Sequence, residues 1–135
     1  MTTILIVEDD PAIRLFCRAA LERAQQGSAH RARVIDAADL AAARRLIATE
    51  QPDLVVMDVR LPDGNGLELV RELRDAMGER SPLVIIASAS VLPAEREAAL
   101  ATGADQFLPK PYRPADLVEA VDSLLWSPRA APGDP

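Results

Sequence analysis

Three apolar runs in this chain stop at oxygen-bearing side chains. Ile4-Leu5-Ile6-Val7 runs into Glu8-Asp9-Asp10, Leu54-Val55-Val56-Met57 into Asp58, and Leu83-Val84-Ile85-Ile86-Ala87 into Ser88. A fourth run, Gln106-Phe107-Leu108-Pro109, ends at Lys110. Carboxylates gathered at one spot repel one another unless a cation sits between them, and hard oxygen donors with a free outward side suit Mg2+. A lysine and a hydroxyl facing the same spot complete a site for three phosphoryl oxygens, one on the metal, one on Lys110 and one on Ser88. Phosphoryl transfer asks little more of a protein than in-line positioning and charge neutralisation. Asp58, flanked by all the others, is then the nucleophile, and the product is an aspartyl phosphate.

For these endings to meet, the four runs must be neighbouring strands whose carboxyl ends open on one crevice, as in an open α/β sheet. Strand-length apolar runs alternate with helical periodicity five times, the pattern of a doubly wound parallel sheet, (βα)5. The first strand is expected at about Thr3 to Val7. Asp10-Pro11 then supplies a cap followed by proline at the first helical position. The inward stripe of that helix is Ile13, Phe16 or Cys17, Ala20, Leu21 and Ala24, and Gly27 is placed to end it. The second strand, near Ala32 to Ile35, is short and flanked by arginines, which suits an edge. Asp39 caps an alanine-rich helix to about Glu50, and Gln51-Pro52-Asp53 stops it.

Leu54 to Met57 is apolar without alternation and therefore central, covered on both faces. The segment Val59-Arg60-Leu61-Pro62-Asp63-Gly64-Asn65-Gly66 reads as a loop, followed by a helix with Leu67, Val70, Leu73 and Met77 on one stripe. Ser81-Pro82 opens the fourth strand, Pro93 begins a helix that Gly103 ends, and strand five follows at once. Pro114 starts the last helix, whose apolar face is Leu117, Val118, Val121, Leu124 and Leu125, with Trp126 near its end. Residues 1–126 are expected to form one domain. Ser127 to Pro135, rich in proline and alanine, reads as a disordered tail or linker stub.

At 135 residues with a net charge of -6, the chain suits a single domain. Its scattered basic residues argue against nucleic-acid binding by this domain. The one cysteine, Cys17, has no internal disulfide partner, and no basic-then-apolar leader opens the sequence. No run reaches the ~18 apolar residues that span a bilayer, so a reducing cytoplasm is the expected compartment, without membrane attachment.

Several residues have plain structural readings. Asp10 is a helix cap rather than a third ligand. Cys17 is a small core residue with nothing nearby to lower its pKa. His30 lies in a polar loop among arginines and is neither phosphoryl donor nor metal ligand. Trp126 is a hydrophobic anchor for the last helix, its alternative being a partner surface.

The sequence resembles a response-regulator receiver domain (CheY-like) of bacterial two-component signalling from about Thr3 to Trp126. The motifs are Val7-Glu8-Asp9-Asp10-Pro11, Met57-Asp58-Val59-Arg60-Leu61-Pro62-Asp63-Gly64-Asn65-Gly66, Ser88-Ala89 and Gly103-Ala104-Asp105-Gln106-Phe107-Leu108-Pro109-Lys110-Pro111-Tyr112. The resemblance implies a flavodoxin-like strand order, 2-1-3-4-5. It implies that Asp58 accepts a phosphoryl group from a sensor histidine kinase or histidine phosphotransfer protein, with autocatalytic phosphorylation and dephosphorylation and no conventional enzymatic turnover. Asp9, Asp58 and the backbone carbonyl of Arg60 would bind Mg2+, with Glu8 acting through water. Ser88 falls at the switch position and Lys110 at the family's lysine. Phe107 takes the aromatic position that turns inward on activation, changing the surface of helix 4, strand 5 and helix 5 for a downstream effector. Serine at 88 in place of the commoner threonine keeps the hydroxyl and loses a methyl. Arg60 and Ser90 sit where such domains tune phosphoryl lifetime, and Lys110-Pro111 is expected to be cis. Homodimerisation through helix 4, strand 5 and helix 5 occurs in the family. The exposed residues of Ala94 to Ala101 and Ala115 to Ser123 show no strong self-complementary charge pattern, so the oligomeric state stays open.

Two other classes compete. A Mg2+-dependent phosphohydrolase with an aspartyl intermediate needs a second acid, and Arg60 stands where one is wanted, two residues past Asp58. A flavin- or nucleotide-binding module needs a glycine-rich or Ser/Thr-rich phosphate loop after the first strand, which this sequence lacks.

Overall fold

The computed structural model describes residues 1–89 and 92–126. Five parallel strands, β1 (Thr2–Val7), β2 (Ala32–Ala37), β3 (Leu54–Asp58), β4 (Leu83–Ser88) and β5 (Gln106–Pro109), form one sheet in the order β2-β1-β3-β4-β5. Helices α1 (Pro11–Ala24), α2 (Leu40–Glu50), α3 (Gly66–Met77), α4 (Pro93–Ala101) and α5 (Pro114–Leu125) follow them in turn. This is the expected doubly wound (βα)5 architecture with the 2-1-3-4-5 order. β2 is an edge, as its arginines imply, although it runs on to Ala37.

Side chains on a strand point alternately to its two faces, so each buried strand feeds two cores. Ile4, Ile6, Leu54, Val56, Ile85 and Leu108 pack with Cys17 and Leu21 of α1 and with Leu117 and Val121 of α5. Leu5, Val7, Val55, Met57, Val84 and Ile86 face the other way, against α2, α3 and Ala99 of α4. Most of these strand residues are almost completely buried. At about 25 cal/mol per Å2 of apolar area removed from water, they supply the rigid floor beneath the strand ends.

The helix ends follow local chemistry. The Asp10 carboxylate accepts from the N–H groups of Ala12 (2.8 Å) and Ile13 (3.3 Å), with Pro11 at the first position. Asp39 accepts from Ala42 N–H at 2.8 Å to start α2. α5 starts instead from Arg113, whose N–H and guanidinium both bond Asp116. On α1, Cys17 takes the inward position while Phe16 is 38 % exposed. Ala24, expected on the same stripe, is exposed in the last turn. On α3, Leu69, Val70 and Leu73 are the buried residues, and Leu67 and Met77 flank them half-buried. The expected loop after β3 contains a two-stranded antiparallel ribbon, Arg60–Leu61 against Gly64–Asn65. Pairing is made possible by Leu61, which turns inward and is 9 % exposed.

Trp126 packs against the α1/α5 core, and its indole stacks on the His30 imidazole at 4.6 Å with 11° between planes. This supports the anchor reading and gives His30 an aromatic partner, beside Asp122 and Glu119 of α5. Lys110-Pro111 is cis. Ser90, and the segment 127–135 expected to be a tail, lie outside the described residues.

Candidate functional site

In the strand order β2-β1-β3, the chain leaves β1 for one side and later returns to its other side. The carboxyl ends of β1 and β3 therefore diverge into the crevice of a topological switch point. Register aligns the ends: Val7 pairs with Met57, Asp58 with Ala87, and Ser88 with Pro109. Lys110 N–H then bonds the Ser88 carbonyl at 2.8 Å, fixing the residue after β5 beside the end of β4. The four polar endings converge because neighbouring strands stop at nearly the same level.

Lys110 is the electrostatic centre of this group. Its Nζ donates to Glu8 Oε1 at 2.7 Å and to Asp58 Oδ2 at 3.2 Å. Oxygens of Glu8, Asp9 and Asp58 all lie within 4.8 Å of one another. The three differ in environment: the Glu8 residue is 5 % exposed, Asp58 is half-buried and Asp9 is open to solvent. Burial pushes the Glu8 carboxyl above its ordinary value. The Lys110 hydrogen bond and the Asp10 N–H at 3.2 Å pull it back without cancelling the rise, and the Asp58 charge adds to it. Burial works against the Lys110 ammonium, yet the hydrogen bond to Glu8 and the charges of Asp58 and Glu8 outweigh it and hold its pKa above the usual lysine value.

Asp58 sits at the wall of an open cleft of about 750 Å3 lined by Val59, Ser88, Leu92, Phe107 and Lys110 among others. Arg60 and Asn65, paired across the ribbon, form its outer rim. Phe107 is already turned into the molecule, 8 % exposed, with the Arg96 guanidinium 5.7 Å from its ring centre. Ser88 is half-buried on the same cleft. The structure thus brings Glu8, Asp9, Asp58, Ser88 and Lys110 to one crevice with Arg60 at its rim and Phe107 in its wall. Asp10 is drawn off as a helix cap and His30 lies elsewhere, both as expected. Cys17 is buried, its Sγ 3.0 Å from Tyr112 Oη, and burial pushes both the thiol and the phenol up.

Sequence reasoning missed three supporting residues. A Cβ on Gly66 would lie 2.3 Å from the Asp58 carbonyl oxygen, so only glycine lets α3 begin against the end of β3. Asp63 accepts from the N–H groups of Leu40 (2.9 Å) and Ala41 (3.0 Å), tying the ribbon to the N-terminus of α2. The hydrogen bond from Leu40 is the main cause of its lowered pKa. Arg14 donates through Nη1 to the carbonyls of Glu8 (2.9 Å) and Asp9 (3.3 Å). Composition could have flagged Gly66, since glycine is a poor helix former and this one opens α3. Asp63 stands inside the motif quoted for the resemblance with no role attached to it, and nothing in the sequence marks Arg14.

The family model for the response regulator receiver domain matches residues 4–122. The chain is 42 % identical over 112 residues to the KDP operon transcriptional regulatory protein KdpE of Escherichia coli K12, covering 83 % of this chain and 46 % of KdpE. It is 40 % identical over 141 aligned residues to response regulator MprA of Mycobacterium sp. strain KMS, covering 98 % of this chain and 55 % of MprA. The chain spans about half the length of these curated relatives. The structure of the chemotaxis response regulator CheY4 of Vibrio cholerae superposes with a TM-score of 0.80 at 26 % identity, covering 93 % of this chain and 99 % of that one. Acidic endings on β1 and β3, a lysine after β5, and this sheet order coincide with that match, and the chain belongs to the response regulator receiver domain family of two-component signalling.

Proposed function

We propose that Asp58 accepts a phosphoryl group from the phosphohistidine of a sensor kinase or phosphotransfer protein, and that the modified domain signals through an altered surface. The observation that carries this reading is the Lys110 ammonium bridging Glu8 and Asp58 beside a third carboxylate, at the mouth of an open cleft. Three carboxylates facing one ammonium form a donor set that fits a hard divalent cation. The carboxylates of Asp9 and Asp58 and the Arg60 carbonyl would hold Mg2+, with Glu8 acting through water. When bound, the ion supplies charge neutralisation for the carboxylates and the phosphoryl oxygens.

The residues divide the work. An Asp58 carboxylate oxygen attacks phosphorus, the P–N bond to the donor imidazole breaks, and the released imidazole takes a proton from solvent. Lys110 exchanges its 3.2 Å contact with Asp58 for a phosphoryl oxygen while keeping the shorter one to Glu8. Ser88 donates its hydroxyl to another phosphoryl oxygen. Moving Ser88 toward Asp58 alters the wall that Phe107 shares, and α4, β5 and α5 redistribute between two packings that a partner protein can tell apart.

Intact mass after incubation with acetyl phosphate tests the reading. A single Mg2+-dependent adduct of about 80 Da, absent in Asp58→Asn, is expected. Continuous phosphate release from simple phosphomonoesters, with no trapped adduct, would assign a hydrolase instead.

A further inference from the structure

Glu8 and Asp9 are consecutive, and consecutive side chains on a strand point to opposite faces. β1 obeys this up to its end: Ile4 and Ile6 face α1 and α5, while Leu5 and Val7 face α2 and α3. Continued by two residues, the same pleat would send the Glu8 and Asp9 carboxylates to opposite sides of the sheet. Their oxygens instead lie within 4.8 Å of each other and of Asp58. The backbone therefore breaks its pleat between residues 8 and 9, and the break has a visible clamp. One nitrogen, Arg14 Nη1, takes both successive carbonyls, Glu8 O at 2.9 Å and Asp9 O at 3.3 Å. In a regular strand successive carbonyls point apart and cannot share a donor. Arg14 stands on the first turn of α1, anchored by the Asp10 cap, so the clamp ties the acidic loop to a rigid element.

We infer that Arg14 is a positioning residue for the cation site: by holding two successive carbonyls it keeps the Glu8 and Asp9 carboxylates on one side. The inference rests on the reading that these carboxylates take Mg2+. Arg14 also places a positive charge near that site, which on its own opposes a divalent cation, so the two effects have opposite signs and separate cleanly. Arg14→Met removes clamp and charge. Arg14→Lys keeps an N–H donor of nearly the same reach together with the charge.

The experiment titrates the 135-residue chain and each variant with Mg2+ alone, by calorimetry, with melting temperature and metal-free amide exchange of Asp9 and Asp10 followed by NMR. Arg14→Met is expected to bind Mg2+ about tenfold more weakly, the usual scale for losing a group that orients a ligand. Its Asp9 and Asp10 amides should exchange faster without metal. Arg14→Lys is expected to recover most of the affinity. Unchanged or tighter binding in Arg14→Met, or a fall in melting temperature with affinity and local exchange unaltered, overturns the inference. A wild-type protein that does not bind Mg2+ overturns the metal reading itself, while the amide-exchange comparison still decides whether Arg14 holds the loop.

Discussion

Replacing Lys110 with methionine keeps most of the stem and removes the charge that stands between two carboxylates. In the wild type the lysine side chain is 18 % exposed, that of Glu8 6 % and that of Asp58 14 %, so the two bonds are poorly screened. A hydrogen bond to a charged group is worth about 1.5–3 kcal/mol net. Losing both bonds is offset by the burial cost that the ammonium no longer bears and by proton uptake on Glu8, where each pKa unit corresponds to about 1.4 kcal/mol. The balance is a loss of about 2–3 kcal/mol near neutral pH without metal, or roughly 8 °C in Tm for a domain of this size.

The pH dependence gives the sharper test. Glu8 already has a folded pKa above its ordinary 4.5, and the Lys110 hydrogen bond is the largest influence holding it down. Without Lys110 that value rises further. A carboxyl whose pKa is raised on folding contributes stability that is fully present below its unfolded value and lost as pH climbs through its folded value. The variant's deficit should therefore be widest near pH 7 and shrink toward pH 4.5. Lys110 has the opposite window: its raised pKa contributes stability below the ordinary 10.5 that is lost as pH passes through the folded value, so wild type and variant converge again in strong base. Thermal unfolding of both proteins in chelator across this range measures the difference, in which the acid sensitivity common to both cancels. A deficit that is flat with pH, or that grows on acidification, would refute the coupling of Lys110 to Glu8.

Asp58→Asn trades the repulsion from Glu8 against the 3.2 Å charged contact with Lys110, so without metal at pH 7 Tm should move by no more than a few degrees while the phosphoryl adduct is abolished; an adduct that persists would place the acceptor elsewhere. Gly66→Ala forces a methyl to 2.3 Å from the Asp58 carbonyl oxygen and should cost about 3 kcal/mol or more by thermal unfolding. A near-neutral result would mean that α3 can start elsewhere. His30→Ala uncovers one face of the only tryptophan, so Trp126 emission should shift to the red with a loss of about 1 kcal/mol, whereas unchanged emission would show that the stack is not populated in solution.

What the sequence disclosed and what it concealed divide along physical lines. Strand ends, caps and helix stops were legible because each is a short-range matter: Asp10-Pro11 and Asp39 act within a few residues of themselves. The convergence of Glu8, Asp58, Ser88 and Lys110 was legible because parallel sheets align strand ends and because the motif spacing resembles a known family. Contacts made across the fold were not legible. Whether Phe16 or Cys17 faces inward depends on the rotation of α1 against α5, which periodicity leaves uncertain by about one residue. Leu69 displaces Leu67 as the buried position of α3 for the same reason. The ribbon at Arg60–Leu61 and Gly64–Asn65 eluded the pattern because two-residue strands carry no periodicity at all. Asp63 and Arg14 bond backbone atoms, and a backbone partner leaves no mark on the sequence of either residue.

The contrast between floor and rim suggests how one modified side chain can be felt elsewhere. Beneath the crevice, Val7, Met57 and Ile86 are at most 1 % exposed and lie side by side in three adjacent strands, a layer too closely packed to absorb a shift. Above it, three carboxylates gather at the Lys110 ammonium on its flexible stem, and its bonds to Glu8 and Asp58 are contacts that can be exchanged. Adding charge at Asp58 cannot be accommodated downward. On the proposed reading it would be taken up sideways, where Lys110, Ser88 and Phe107 border the open cleft. That direction leads to α4 and β5, where the Arg96 guanidinium stands over the Phe107 ring. If Asp58 carries the phosphoryl group, as proposed, packing density directs the response to that wall and away from the floor.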